Sequence, residues 1–226
     1  NPFTVGTQFP SFFGGNGAGA LFDGYFANYR ATSTDIYGAA DALGFQPNSN
    51  FYTSITGTIN LLNTPNDNAT VFSDSIGTPS GFTSHTGGAL SSEFPTYAAQ
   101  SICFDGTNSV YFNYPSGETI GSSDFTIELW IKPSGYSRYM SFLDTGYSDS
   151  NRGMYLGYNS ELNGGTAANN YAPQNFLVKF YNSSYNIDTA LQVPQNVWTH
   201  VVATRASGKF TTYINGNQKT PSQSLA

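Results

Sequence analysis

Glu93, Glu118, Glu128 and Glu161 are the side chains best suited to acid and base work in this chain. One reaction that paired carboxylates serve is glycoside hydrolysis, which needs two of them flanking the scissile bond. Only Glu128 falls inside a strong strand pattern, and its same-face neighbours Thr126, Trp130 and Lys132 include no acid. A Glu-x-Asp-x-x-Glu spacing occurs nowhere. The sequence therefore argues against an enzyme, and no catalytic residue is assigned. His85 and His200 are too few for a histidine-rich zinc site. His200, in "WTHVV", shares a face with Trp198 and Val202 and has no serine or cysteine nucleophile motif beside it. It reads as a packed, hydrogen-bonded strand residue rather than a base. Cys103, the one cysteine, cannot make an internal disulfide, and its place in "QSICF" predicts a buried strand thiol.

Binding is the chemistry that remains. The loop "DTGYSDSNRG" gathers Asp144, Asp149, Asn151 and Arg152 around Tyr147, and Tyr158 follows shortly after. Carboxylate, amide and guanidinium groups bond sugar hydroxyls, while exposed aromatic rings stack on sugar faces. Tyr147, Asp149, Asn151, Arg152 and Tyr158 are accordingly the carbohydrate-binding candidates. Trp130 and Trp198 are expected in the core. Tyrosine among Ser, Gly and Asn is also the composition of protein-recognition surfaces, so composition leaves sugar and protein partners both open.

These side chains must be positioned by strands. From Phe51 onward the pattern alternates: "FYTSITGTINLL", "SVYFNY", "FTIELWIKP", "RYMSFLDT", "GMYLGYN", "NFLVKFYN", "IDTALQV", "WTHVVATR" and "KFTTYIN" are separated by Gly, Asn, Ser, Asp and Pro turns. Phe125, Ile127, Leu129 and Ile131 fall on one face of the third of these. Short strands at this spacing without intervening helices predict an all-β antiparallel sandwich or jelly roll. Residues 1–56 differ, mixing glycine with aromatics without sustained period, and are expected to be an irregular N-terminal arm that docks on a neighbouring subunit. Residues 57–226 are expected to be the sandwich. The one helical candidate in the arm is "STDIYGAADALG", with a Ser33 or Thr34 cap and a Gly44 stop.

Composition narrows the partners. Charged residues are 10% of the chain, against roughly 25% in average soluble domains. The net charge is -6 and the eight Lys and Arg are scattered singly, which argues against nucleic acid. No apolar run reaches membrane-spanning length. The chain starts at Asn1, so the missing signal segment says nothing about secretion.

Between Thr58 and Gln218 the motifs "TVFSDSIG", "SICFDGTNSVYFNY", "SSDFTIELWIKP" and "VPQNVWTHVVATRASGKFTTYINGNQ", in that order, resemble the laminin G-like members of the concanavalin A-like jelly-roll superfamily. This likeness implies an antiparallel two-sheet jelly-roll sandwich. Their flavour is similar to domains of phage tail and fibre proteins and of secreted bacterial adhesins. The resemblance, with that to pentraxin domains, implies a rim calcium site built from Asp side chains and loop carbonyls, with Asp74, Asp105 and Asp144 as candidates. None of the three lies in a dense acidic cluster, and each also reads as a turn-former.

Relatives continue past the Asn215-Gly216 hairpin with further strands, which "NQKTPSQSLA" does not supply. Three completions stay open: a continuation of the chain, the N-terminal segment, or a strand donated by a neighbour. The expectation that results is a non-enzymatic structural or attachment protein of a virus particle, a phage fibre, tail or head-decoration component. It would be located in the virion or extracellularly, oligomeric, and in contact with other assembly subunits and with cell-surface glycan. A carbohydrate-binding lectin module of a bacterial adhesin or surface filament is the alternative.

Overall fold

A computed structural model of the chain describes residues 11–13, 22–37, 45–47, 55–56, 58–62, 88–92, 101–106, 110–112, 124–134, 141–144, 154–158, 175–180, 186–218 and 223–224. The strands are β1 (Ser11–Phe13), β2 (Asp23–Thr32), β3 (Thr58–Leu62), β4 (Gly88–Ser91), β5 (Ser101–Asp105), β6 (Val110–Phe112), β7 (Phe125–Pro133), β8 (Ser141–Asp144), β9 (Met154–Tyr158), β10 (Asn175–Phe180), β11 (Asn186–Gln192), β12 (Thr199–Ala206), β13 (Lys209–Ile214), β14 (Asn217–Gln218) and β15 (Gln223–Ser224). They form a six-stranded sheet in the order β11-β10-β9-β8-β1-β6 and a larger one in the order β14-β13-β12-β7-β2-β5-β4. In the larger sheet β3 also pairs with β2, and β15 with β13. Every pairing between the described strands is antiparallel. The fold is the all-β antiparallel class expected.

The larger sheet has an apolar face and a polar one, set by strict alternation along β7. Phe125, Ile127, Leu129 and Ile131 are each fully buried on the apolar face. Phe26, Tyr29 and Ala31 of β2, Ile102 and Phe104 of β5, Val201 and Ala203 of β12, and Phe210 are buried with them, in the register that the strand pairs set. Phe104 meets Phe22 and Phe26 edge-on, at ring-centre distances of 5.5 and 6.4 Å. This is the core that the alternation predicted.

Residues 23–32 differ from the irregular arm read in the sequence. They form β2, between β7 and β5 in the larger sheet. The alternation was hidden because one residue, Asn28, sits in a bulge. Ala27 pairs with Trp130 and Tyr29 with Leu129, so Asn28 is extra and the phase of everything after it is reversed. Its φ of 45° is a conformation that asparagine tolerates better than most residues. The helix read over 33–44 is not formed at Ser33–Tyr37, where Thr32 Oγ1 donates to the Thr34 carbonyl and Asp35 accepts from the Tyr37 amide in local bends. Residues 38–44, the rest of that candidate, lie outside the described residues.

Beyond the Asn215-Gly216 hairpin the sheet is extended by β14 on Tyr213 and Ile214 and by β15 on Lys209 and Phe210. The N-terminal part also reaches this turn. The Phe45 amide donates to the Gly216 carbonyl at 2.7 Å. Gly216 has a φ of 75°, and a Cβ there would collide with the Phe45 carbonyl, so glycine is required twice over.

Candidate functional site

The polar face of the larger sheet carries the chemistry. Because the Asn28 bulge reverses the phase of β2, Arg30 comes to face the same way as Glu128, its direct cross-strand partner. Arg30 Nε donates to Glu128 Oε1 at 2.7 Å, and the guanidinium also meets that oxygen at 2.5 Å. From β12, His200 Nε2 lies 3.2 Å from Glu128 Oε2. Tyr37 Oη, from the segment after β2, donates to the same oxygen at 2.5 Å. Glu128 and His200 are fully buried, and Arg30 is 5% exposed.

Electrostatics follow from this burial. Desolvation alone would raise the Glu128 pKa, but the hydrogen bond and charge of His200, the Arg30 charge and the Tyr37 hydroxyl together outweigh it and hold the carboxyl below the ordinary glutamate range. Burial, and then the adjacent Glu128 charge, push the Tyr37 hydroxyl far above the ordinary tyrosine range. Tyr37 thus stays a donor. A carboxylate that already accepts from three partners, enclosed on every side, has no proton to give and no lone pair left for a substrate.

Residues 33–37 and 45–47 form a strap over this cluster. The Thr126 hydroxyl, at bonding distance from Thr204 Oγ1, donates to the Thr34 carbonyl and accepts from the Ile36 amide. Thr204 Oγ1 also donates to Asp35 Oδ1 at 2.8 Å. Above, the Tyr37 and Phe45 rings stack 3.7 Å apart and 9° from parallel, and Phe45 packs against His200 and Tyr213.

At the other end of the same face the strap gives way to half-buried side chains. Tyr25, Lys132 and Cys103 stand level with one another across β2, β7 and β5. Trp198, just before β12, lies beside Tyr25 with ring centres 6.4 Å apart. Lys132 Nζ is 5.6 Å from the centre of the Tyr25 ring. Asp23 precedes this row on the same face and is also half-buried. Two sequence expectations are corrected here: Trp198 and Cys103 are only half-buried, whereas Trp130 is buried at 8% exposure. Both corrected residues lie near the end of the face that the strap leaves uncovered.

Of the carbohydrate-binding candidates, Tyr147, Asp149, Asn151 and Arg152 lie outside the described residues, as does Asp74. Tyr158 ends β9. Since Asp144 pairs with Tyr155 and Ser141 with Gly157, Tyr158 is at the end of β9 away from the 145–153 connection. Asp144 pairs with Phe12 of β1 in the six-stranded sheet, while Asp105 pairs with Asp23 in the larger one, so the two calcium candidates belong to different sheets. Among the described residues no group of three or more His, Cys, Asp and Glu is placed to hold a metal. Sequence reasoning singled out Glu128 and His200 but missed Arg30 and Tyr37.

Residues 104–225, just over half of the chain, match the laminin G-type family model of the concanavalin A-like lectin/glucanases superfamily. The chain belongs to this superfamily. No curated protein and no solved structure matches it. The matched stretch runs through β6 to β15, and so includes β7 and β12 with Glu128, Lys132, Trp198 and His200. β2, which supplies Arg30 and Tyr25 to the same face, precedes it. This superfamily member thus builds its polar face from matched strands and from one outside the match. The superfamily's name spans sugar binding and sugar cleavage, and among the described residues Glu128 is the sole glutamate. No helix among them is long and apolar enough to cross a membrane.

Proposed function

We propose that this superfamily member is a non-enzymatic glycan-recognition module that serves attachment. One observation carries the reading: the strand-borne glutamate of the polar face is locked by Arg30, His200 and Tyr37 beneath the strap, while aromatic and polar side chains stand half-buried at the open end. That division favours binding over hydrolysis, which would need a pair of accessible carboxylates. Laminin G-like domains are in general non-catalytic and extracellular, in keeping with this reading.

The carrier we propose is a virus particle, with the chain in a phage fibre, tail or head decoration, oligomeric and in contact with other subunits. The neutral-polar composition, 10% charged and rich in Gly and Tyr, supports an exposed assembly of this kind. A bacterial adhesin or surface filament would use the same glycan-binding face. Retention of the purified chain on immobilised oligosaccharides, with the sugar recovered uncut, is the expected result. Release of shortened sugars would overturn the non-enzymatic reading, and failure to bind any glycan would overturn recognition. The chain should also co-purify with particles through a density gradient; recovery from secreted filaments instead would favour the adhesin.

A further inference from the structure

We propose that Asp23, Tyr25, Lys132 and Trp198 form a site for a neutral hexopyranose at the open end of the polar face, an assignment that rests on the glycan-recognition reading. Tyr25 and Trp198 are both half-buried, with ring centres 6.4 Å apart and planes inclined at 53°, and aromatic rings of this kind pack against the C–H face of a sugar. The donor-only Lys132 ammonium lies over the Tyr25 ring, 5.6 Å from its centre, and the acceptor-only Asp23 lies two residues before Tyr25 on the same strand face. A sugar hydroxyl both donates and accepts, so such a pair can hold adjacent hydroxyls that water would otherwise satisfy.

Charge selects the class. Asp23 and Lys132 carry opposite charges that sum to zero. A neutral sugar can bond both groups, whereas the attraction of an anionic sugar to Lys132 is offset by Asp23.

The site is mounted on strands. Tyr25 and Lys132 are direct partners in β2 and β7. Between Asp23 and Tyr25, Gly24 has a φ of 147°, and a Cβ there would meet the Lys132 carbonyl oxygen at 2.5 Å, so the absent side chain permits the close approach of the two strands. The Asp23 carbonyl accepts the Ser134 amide at 2.9 Å, and the Asn196 amide donates to the Pro133 carbonyl at 2.7 Å, tying the segment before Trp198 to the end of β7. The ring pair is thereby held in place before a ligand arrives.

Tryptophan emission offers a direct test, because the chain has two tryptophans and Trp130 is buried, so a bound sugar acts on Trp198. The full chain is titrated with cellotetraose, laminaritetraose, maltotetraose and chitotetraose, and with tetragalacturonate as the anionic counterpart. The expected result is a saturable emission shift with at least one neutral tetramer. Binding should weaken at least tenfold in Trp198→Ala, Tyr25→Ala and Asp23→Asn, and stay within about threefold in Tyr25→Phe. Calorimetry follows Trp198→Ala, and Asp23→Asn keeps the test decisive should an aromatic variant fail to fold. Loss of binding in Asp149→Ala with full retention in Trp198→Ala and Asp23→Asn would overturn this site while leaving glycan recognition standing. Preference for tetragalacturonate would overturn the neutral class, and binding of none of the five would overturn the site together with the reading beneath it.

Discussion

Removing one charge from the cluster around Glu128 strands the others away from water. Arg30→Met leaves a buried carboxylate with His200 and Tyr37 alone, and the loss expected for breaking a buried ion pair is about 3–5 kcal/mol, read by urea unfolding. Tyr37→Phe removes a hydrogen bond to a charged group and is expected to cost about 1.5–3 kcal/mol. The pH dependence has two limbs. Glu128 has a lowered folded pKa, so its contribution is complete above the ordinary glutamate range and disappears as pH falls through the lower folded value. Tyr37 has a raised one, so stability declines once pH exceeds about 10, where the unfolded tyrosine ionises and the folded one does not. Melting temperatures from pH 2 to 11 should show both limbs. Glu128→Gln should flatten the acid limb and Tyr37→Phe the alkaline one; an unchanged acid limb in Glu128→Gln would mean that other carboxylates govern it. Of this cluster, Glu128 and His200 could be singled out in the sequence because each lies in an alternating strand. Arg30 and Tyr37 could not, since they stand 98 and 91 residues away from Glu128 and meet it only through sheet pairing.

At the level of the element, β2 turns on a single residue. Asn28 is accommodated as an extra residue, and if it took a regular strand position instead, Arg30 would point to the apolar face and Tyr29 to the polar one. Asn28→Gly keeps the positive φ and should change stability little, whereas Asn28→Val forces a β-branched residue into that conformation at about 1–3 kcal/mol. Deleting Asn28 removes the extra residue and leaves Tyr29 opposite Leu129 and Arg30 opposite Glu128, so cooperative unfolding should survive the deletion. Gly216→Ala tests the junction with the strap. Its Cβ would displace Phe45 and break the bond from the Phe45 amide, at an expected cost of about 1–3 kcal/mol in thermal unfolding. β7, β12 and β13 were legible because their alternation is unbroken and their turns carry Ser207-Gly208 and Asn215-Gly216, four residues with positive φ. β2 was not legible, because its bulge breaks period 2 and its neighbours on both sides, β7 and β5, are remote in sequence. The strap was not legible either. Its residues cover the sheet through bonds to Thr126, Thr204 and Glu128, and nothing in the local pattern of 33–47 announces them.

Among the described residues, the strap covers one end of the polar face of the larger sheet and leaves half-buried side chains at the other. The covered end holds Glu128, the sole glutamate among the described residues, in ion pairs, and the other end holds an aromatic pair with a lysine and an aspartate. This division is why a member of a superfamily of lectins and glucanases is proposed to bind sugar without cutting it. Native mass spectrometry of the purified chain held for a day with each neutral tetramer tests that claim most directly. The account predicts a complex whose added mass is one intact tetrasaccharide, with no shorter sugar in solution. Accumulating di- or trisaccharides, or a spectrum without any complex across the whole series, would contradict it.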